Sequence, residues 1–335
     1  MTKCSCNKRI GLISFEHMHA MSYASCMKSA VGGTLVCVSD DNPERMEKCT
    51  TELGMTLNKY TDWRKMITEE KLDGVIICTA NAKHADISMT CADAGLHILC
   101  EKPLATTMDD CYRMLDSAKK NNVILMTAFP VRYAPEVKVA RDMIRKGELG
   151  EVISCVTSNH GSMPGGWFVE AELSGGGAVI DHTVHVIDIL RWILDDEVES
   201  VYAEYANRLH KEISCEDCGQ LLIRFKKGTA VSLDTSWSRP AAYSAWGDVK
   251  IDIKGAAGNL SLSCFPRAIN FYDNKTMRHY SSSPVAEMDL LLVQEFINCI
   301  IENRTPLTTG YDGLKATEVA LAAYKAGQSM TPVVL

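Results

Sequence analysis

Apolar positions in the first part of the chain fall into short continuous runs separated by amphipathic stretches. Residues 9–13 (RIGLI) read as a strand, and a second strand lies within 31–39 (VGGTLVCVS), ending at Asp40. A helix-like segment over 19–29 joins them into a βαβ unit. The alternation continues with a helix from Pro43, a helix near 62–70, a strand at 74–78 and a helix over 84–94. A strand at 97–100, a helix over 108–121 and a strand at 123–128 complete it. Strands that are apolar throughout need cover on both faces, so residues 1–128 are predicted to form a doubly wound parallel sheet, a Rossmann arrangement.

Beyond that point the period changes. Strand-like runs appear at 152–159, 200–206, 219–225, 229–237, 249–255 and 259–264, separated by turn signals such as Lys226-Lys227-Gly228. Two helical segments, 287–302 and 313–328, close the chain and could pack on either part.

Between the two patterns lies SGGGAVIDHTVHVIDILRW, residues 174–192. Gly175, Gly176 and Gly177 read as a hinge or close-approach turn that leads into a helix from about Ala178. Ile180, Val184, Ile187 and Leu190 form its core stripe, while Asp181, His185 and Asp188 recur at i, i+4, i+7 beside it. An imidazole one turn from a carboxylate suits general acid/base chemistry. It equally suits a dipole-stabilised Asp and a buried, satisfied His.

The chain has 335 residues, 46% of them hydrophobic, enough for two cores. A net charge of −7 argues against nucleic acid as a partner, and no apolar run is long enough to span a membrane. The opening residues lack the apolar middle of a signal peptide, so a cytoplasmic location is expected. Most of the 14 cysteines, Cys37, Cys78, Cys100 and Cys155 among them, sit in apolar runs and are expected as buried thiols. Cys4 and Cys6 pair near the N-terminus, and Cys215 and Cys218 form a lone CxxC with no further ligands nearby, so no metal site is expected.

Polar residues collect where the predicted strands end: Ser14, Asp40, Thr79 with Asn81 and His84, and Glu101-Lys102-Pro103. Ligands of such sheets bind there. Asp40 is placed to accept from adenosine ribose hydroxyls and to repel a 2′-phosphate, which favours NAD over NADP; a turn residue in Ser39-Asp40-Asp41-Asn42-Pro43 is an equally good reading in isolation.

The ordered segments DGVIICTANAKH, AGLHILCEKPLATT, ELGEVIS, SGGGAVIDHTVHVIDILRW and TGYDGLKATEVALAAYKAG resemble the Gfo/Idh/MocA oxidoreductases, with CEKPLATT the most specific. The resemblance implies an NAD-binding Rossmann domain over 1–128 and an α+β substrate domain over 129–335 built on a large open, mainly antiparallel sheet. An uncovered sheet face is an expected homo-oligomer interface, dimer or tetramer. By resemblance Lys102, Asp181 and His185 are catalytic, with His185 as general base. Ser14, Phe15, Glu16, His17, Asp40, Thr79, Asn81, His84, Glu101 and Lys102 line the cofactor site. Arg132, Trp167 in the Gly/Pro-rich GSMPGGWF, His182, Asp181 and His185 are expected at a sugar, sugar-derivative or cyclitol substrate, with Tyr133 a further candidate.

One departure stands out. The family's fingerprint glycines fall on Ser14, Glu16 and His19, so Glu16 brings a Cβ and a negative charge toward a pyrophosphate dianion. Either the loop turns that carboxylate away, or the cofactor sits differently, or it no longer binds; His17 and His19 could compensate if protonated. The leading expectation is an NAD-dependent dehydrogenase. The alternatives are a redox-neutral, NAD-retaining glycoside-cleaving enzyme and a non-catalytic nucleotide- or sugar-sensing protein.

Overall fold

The computed structural model describes residues 7–243, 247–264, 269–273, 277–282 and 288–335; Cys4 and Cys6 lie outside the described residues. The chain divides into two compact units, one of Met1–Pro130, Glu172–Gly175 and Met288–Thr317, the other of Val131–Ala171, Gly176–Glu287 and Glu318–Leu335.

The first unit begins β1 (Lys8–Ile13), α1 (Ala20–Cys26), β2 (Gly33–Ser39), α2 (Pro43–Leu53), β3 (Asn58–Tyr60) and α3 (Trp63–Glu69). It continues β4 (Gly74–Ile77), α4 (His84–Asp93), β5 (His97–Cys100), α5 (Met108–Lys120) and β6 (Leu125–Thr127). All six strands pair in parallel in the order β3-β2-β1-β4-β5-β6, the doubly wound order. Ile10, Leu12, Val75, Ile76 and Ile98 are fully buried, as strands covered on both faces require. Helix starts follow local chemistry: Asn42 accepts from the Arg45 amide with Pro43 at the first turn, Asp62 caps α3 and Thr107 caps α5. β3 was not expected. Its three residues, Asn-Lys-Tyr, are not buried and carry no apolar period.

After β6 come α6 (Pro135–Arg145), β7 (Val152–Gly161), the short α7 (Ala171–Ser174), α8 (Ala178–Leu194), β8 (Val198–Ala206), β9 (Cys218–Phe225) and β10 (Ala230–Ser236). Then follow β11 (Gly247–Gly255), β12 (Asn259–Ser263), the hairpin β13 (Ile269–Asp273) and β14 (Arg278–Ser282), α9 (Met288–Glu302), α10 (Gly310–Ser329) and β15 (Val333–Val334). α9 packs on α1 and β1, in the first unit.

The second sheet runs β12-β11-β7-β10-β9-β8-β15, with β7 and β10 parallel and every other pair antiparallel. One face packs on α8, which contacts β7, β9 and β10. On β9, Leu221, Ile223 and Phe225 point inward while Gln220, Leu222 and Arg224 are exposed. The exposed face carries a shallow depression of about 590 Å³ lined by Val156, Tyr202, Leu222, Arg224 and Pro332. α8 is buried nearly all round rather than along one stripe.

Two of the three glycines work by close approach. Gly176 has φ +155° and a Cβ there would lie 2.0 Å from Tyr324 Oη; one on Gly177 would lie 1.9 Å from the Glu216 carbonyl oxygen. No side chain caps α8 at Gly177, and the distant Glu216 does so instead: its Oε1 accepts from the Gly177 and Val179 amides at 2.8 and 3.0 Å and from Tyr324 Oη at 2.6 Å. Burial pushes the Glu216 carboxyl above its ordinary value despite these donors.

Candidate functional site

The C-terminal ends of β1, β2 and β4 enclose a cleft of about 490 Å³ whose lining includes Ser14, Glu16, Asp40, Trp63, Thr79 and Lys83. That volume suits a small-molecule site. Ser14 occupies the left-handed region at φ 72°, where a glycine would be free of strain. Its Oγ donates to Asp40 Oδ2 (3.3 Å) and accepts from the Glu16 amide (3.0 Å), bonds that help hold the turn. The Glu16 carboxylate swings to the end of β4, where it accepts from the Ala80 amide at 2.9 Å and Lys83 Nζ at 2.7 Å. Its charge is thus paired with a cation.

Asp40 is more heavily engaged than the sequence suggests. It accepts from the Phe15 amide (2.7 Å), the Asn42 amide (2.8 Å) and the Arg45 guanidinium, at 2.7 Å from Nη2 to Oδ1 and 2.9 Å from Nε to Oδ2. Trp63 and Arg64 stack at 4.1 Å on the same cleft. Two buried polar atoms beyond β4, Thr79 Oγ1 and Asn81 Oδ1, have no hydrogen-bond partner among the described residues. Buried polar atoms are costly to leave unmet, so these fit a polar ligand such as a dinucleotide. The polar lining of the cleft, Thr79 Oγ1 included, fits the cofactor that the sequence implies.

At the end of β5, Glu101 is fully buried and Lys102 nearly so, with the Lys102 amide donating to Glu101 Oε2 at 3.0 Å. The Lys102–Pro103 peptide is cis. His84 stands between two carbonyls, Nδ1 at 3.0 Å from Pro103 O and Nε2 at 3.2 Å from Thr79 O, and burial lowers its pKa below the ordinary value. The neutral ring has one N–H, which the shorter Nδ1–Pro103 O contact takes, so His84 is bonded to the segment carrying Lys102 and packs against the end of β4. His17 and His19 both face Glu101, with Nδ1 atoms 3.6 and 3.0 Å from Oε1. Burial opposes charge on His19 and would raise Glu101, yet the mutual attraction wins: His19 lies above its ordinary pKa and Glu101 well below its own.

In the second unit, Asp181 Oδ2 accepts from Trp237 Nε1 at 3.0 Å and lies 3.3 Å from His182 Nε2. His182 Nδ1 is 2.9 Å from Asn159 O. His185 is buried on the same helix, one turn on from Asp181. Asp188 is taken by Arg132, Nε to Oδ2 at 2.9 Å with a second bond from Nη2, so this pair is a buried ion pair. Tyr133 is also buried, and Trp167 is half-buried and stacked on Phe168 at 3.8 Å. Trp237, Arg45 and Lys83 are the residues that sequence reasoning missed; the signal available for Arg45 was a cation five residues after Asp40.

Residues 9–129 match the oxidoreductase family with an NAD-binding Rossmann fold, and residues 137–261 match the GFO/IDH/MocA C-terminal domain. The chain is 29% identical over 256 residues to myo-inositol 2-dehydrogenase from Thermotoga maritima, covering 75% of this chain and 74% of the relative. It is 28% identical over 311 residues to 1,5-anhydro-D-fructose reductase from Ensifer adhaerens, covering 89% of this chain and 90% of the relative. The crystal structure of a probable dehydrogenase from Thermotoga maritima matches with a TM-score of 0.83 at 26% identity, over 97% of this chain and 98% of that one. With a nucleotide-binding part and a C-terminal part both matched, and in the family's order, the chain belongs to the Gfo/Idh/MocA oxidoreductases.

Proposed function

We propose that the protein is an NAD-dependent oxidoreductase that moves hydride between a secondary alcohol carbon of a sugar, sugar derivative or cyclitol and the nicotinamide. The observation that carries this reading is the cleft at the ends of β1, β2 and β4, with the buried, unmet Thr79 Oγ1 beside a satisfied Glu16. The relatives' names, an inositol dehydrogenase and an anhydrofructose reductase, support the substrate class.

Bound NAD supplies the hydride acceptor. Ser14, Phe15, Glu16, His17, Asp40, Thr79, Asn81, His84 and Glu101 form its surroundings, with His84 acting by holding the Lys102 segment. His185 takes the hydroxyl proton, the Lys102 ammonium stabilises the developing alkoxide, and Asp181, oriented by Trp237 and His182, steadies the exchange. Trp167 supplies an aromatic face for a sugar ring. Arg132 serves the site by fixing α8 through Asp188.

Titration of the cofactor-stripped protein with NAD, NADH and NADPH, followed by tryptophan quenching, tests the reading. Saturable NAD(H) binding supports it, and a folded protein that binds no dinucleotide contradicts it. The Asp40–Arg45 pair sets a sharper expectation. Asp40→Ser removes the ribose acceptor and releases Arg45 for a 2′-phosphate, so NAD affinity is expected to fall roughly tenfold while NADP affinity rises. A variant with unchanged preference would show that Asp40 serves only Arg45 and the loop.

The open face of the second sheet is proposed as a homo-oligomer interface, dimer or tetramer, because it leaves Val156 and Leu222 more than half exposed. Leu222→Glu is expected to convert the oligomer to monomer in light scattering without loss of far-ultraviolet circular dichroism; a wild-type monomer at micromolar concentration would refute the interface. No described helix is long and apolar enough to cross a membrane. All twelve cysteines among the described residues are free, and burial pushes the Cys91, Cys155 and Cys264 thiols up to about 12.

A further inference from the structure

The loop that replaces the family's glycine fingerprint brings two imidazoles onto one buried carboxylate. His17 and Glu101 are buried, His19 partly so, and one ligand atom from each lies within 4.8 Å of the other two. The separations from Glu101 Oε1, 3.6 Å to His17 Nδ1 and 3.0 Å to His19 Nδ1, bracket the edge of about 3.3 Å expected between ligands of a tetrahedral zinc ion with bonds near 2.0 Å. From this geometry we infer that His17, His19 and Glu101 form a divalent-cation site of the zinc class, a His2Glu set with a fourth position open.

The surroundings hold the three groups in a form a metal can use. The Lys102 amide binds Glu101 Oε2, which leaves Oε1 toward the imidazoles. The His19 amide donates to His17 Nδ1 at 3.2 Å, so that nitrogen carries a lone pair rather than a proton, and a bound ion would take that lone pair in place of this long hydrogen bond. The His17 amide is pinned to Cys78 O at 2.9 Å, which fixes the backbone of the loop that carries both imidazoles. All of these elements belong to the first unit and sit where the strands of its sheet end. Two imidazoles and one carboxylate favour zinc over magnesium or calcium, which prefer oxygen-rich shells.

The test needs neither cofactor nor substrate, so its outcome is separate from that of the hydride-transfer reading. The full chain, dialysed against chelator, is titrated with Zn2+ by calorimetry and with Co2+ by absorption. The expected result is one ion per chain at micromolar or tighter affinity and a Co2+ spectrum with visible bands but no intense thiolate charge transfer in the near ultraviolet. His17→Asn with His19→Asn, and separately Glu101→Gln, are expected to weaken binding at least a hundredfold. The absence of uptake would overturn the proposal. So would strong thiolate charge transfer, which would place the ion on cysteines, or unchanged affinity in variants that retain native circular dichroism. The wild-type Co2+ spectrum decides the matter even if a variant fails to fold.

Discussion

Lys102→Met is expected to lower kcat by about a hundredfold to ten-thousandfold while NAD still binds within a few-fold of wild type. Lys102 is 4% exposed, its amide is fixed on Glu101, and the following proline carbonyl is held by His84, so its ammonium is delivered from a rigid segment. Methionine has nearly the same length and tolerates burial, which keeps the packing and removes the charge. The buried Glu101 retains His17 and His19 beside it, so the substitution does not strand a carboxylate. A loss confined to kcat would mark an interaction made mainly in the transition state. Turnover within threefold of wild type would remove Lys102 from the chemistry.

Gly177→Ala is expected to destabilise the second unit by about 3 kcal/mol or more. The added methyl meets the Glu216 backbone oxygen rather than a yielding side-chain tip. That carbonyl accepts from the Ala178 amide at 3.1 Å, and the same residue's carboxylate caps the helix and binds Tyr324. Relieving the clash therefore pulls apart the start of α8, on which Asp181 and His185 ride. Urea unfolding reads the effect directly; a loss below about 1 kcal/mol would mean that the neighbouring chain gives way freely.

The parallel sheet was legible because most of its strands lie in apolar runs that alternate with helical segments. Polar β3 carries no such signal and is formed by pairing of Cys37–Ser39 with Asn58–Tyr60. The cleft was legible as polar residues at strand ends. The fate of Glu16 was not, since it depends on Ala80 and on Lys83, 67 residues away. Helical spacing placed Asp181, His185 and Asp188 together, yet the partners that define two of them come from elsewhere: Trp237 for Asp181 and Arg132 for Asp188, each 56 residues distant. The same limit hid the cap of α8 on Glu216. No spacing rule joins His19 to Glu101, 82 residues on, so their meeting is not legible in the sequence.

The measurement that bears most directly on hydride transfer is isotopic. The protein is mixed with NAD and a panel of cyclitols and sugars deuterated at each ring carbon, and the recovered cofactor is examined by mass spectrometry. Transfer of hydride from a secondary alcohol predicts NADH carrying one deuterium from a single substrate carbon, formed only with protein that retains Lys102 and His185. Unlabelled cofactor across the panel, from folded protein that demonstrably binds NAD, would contradict the assignment.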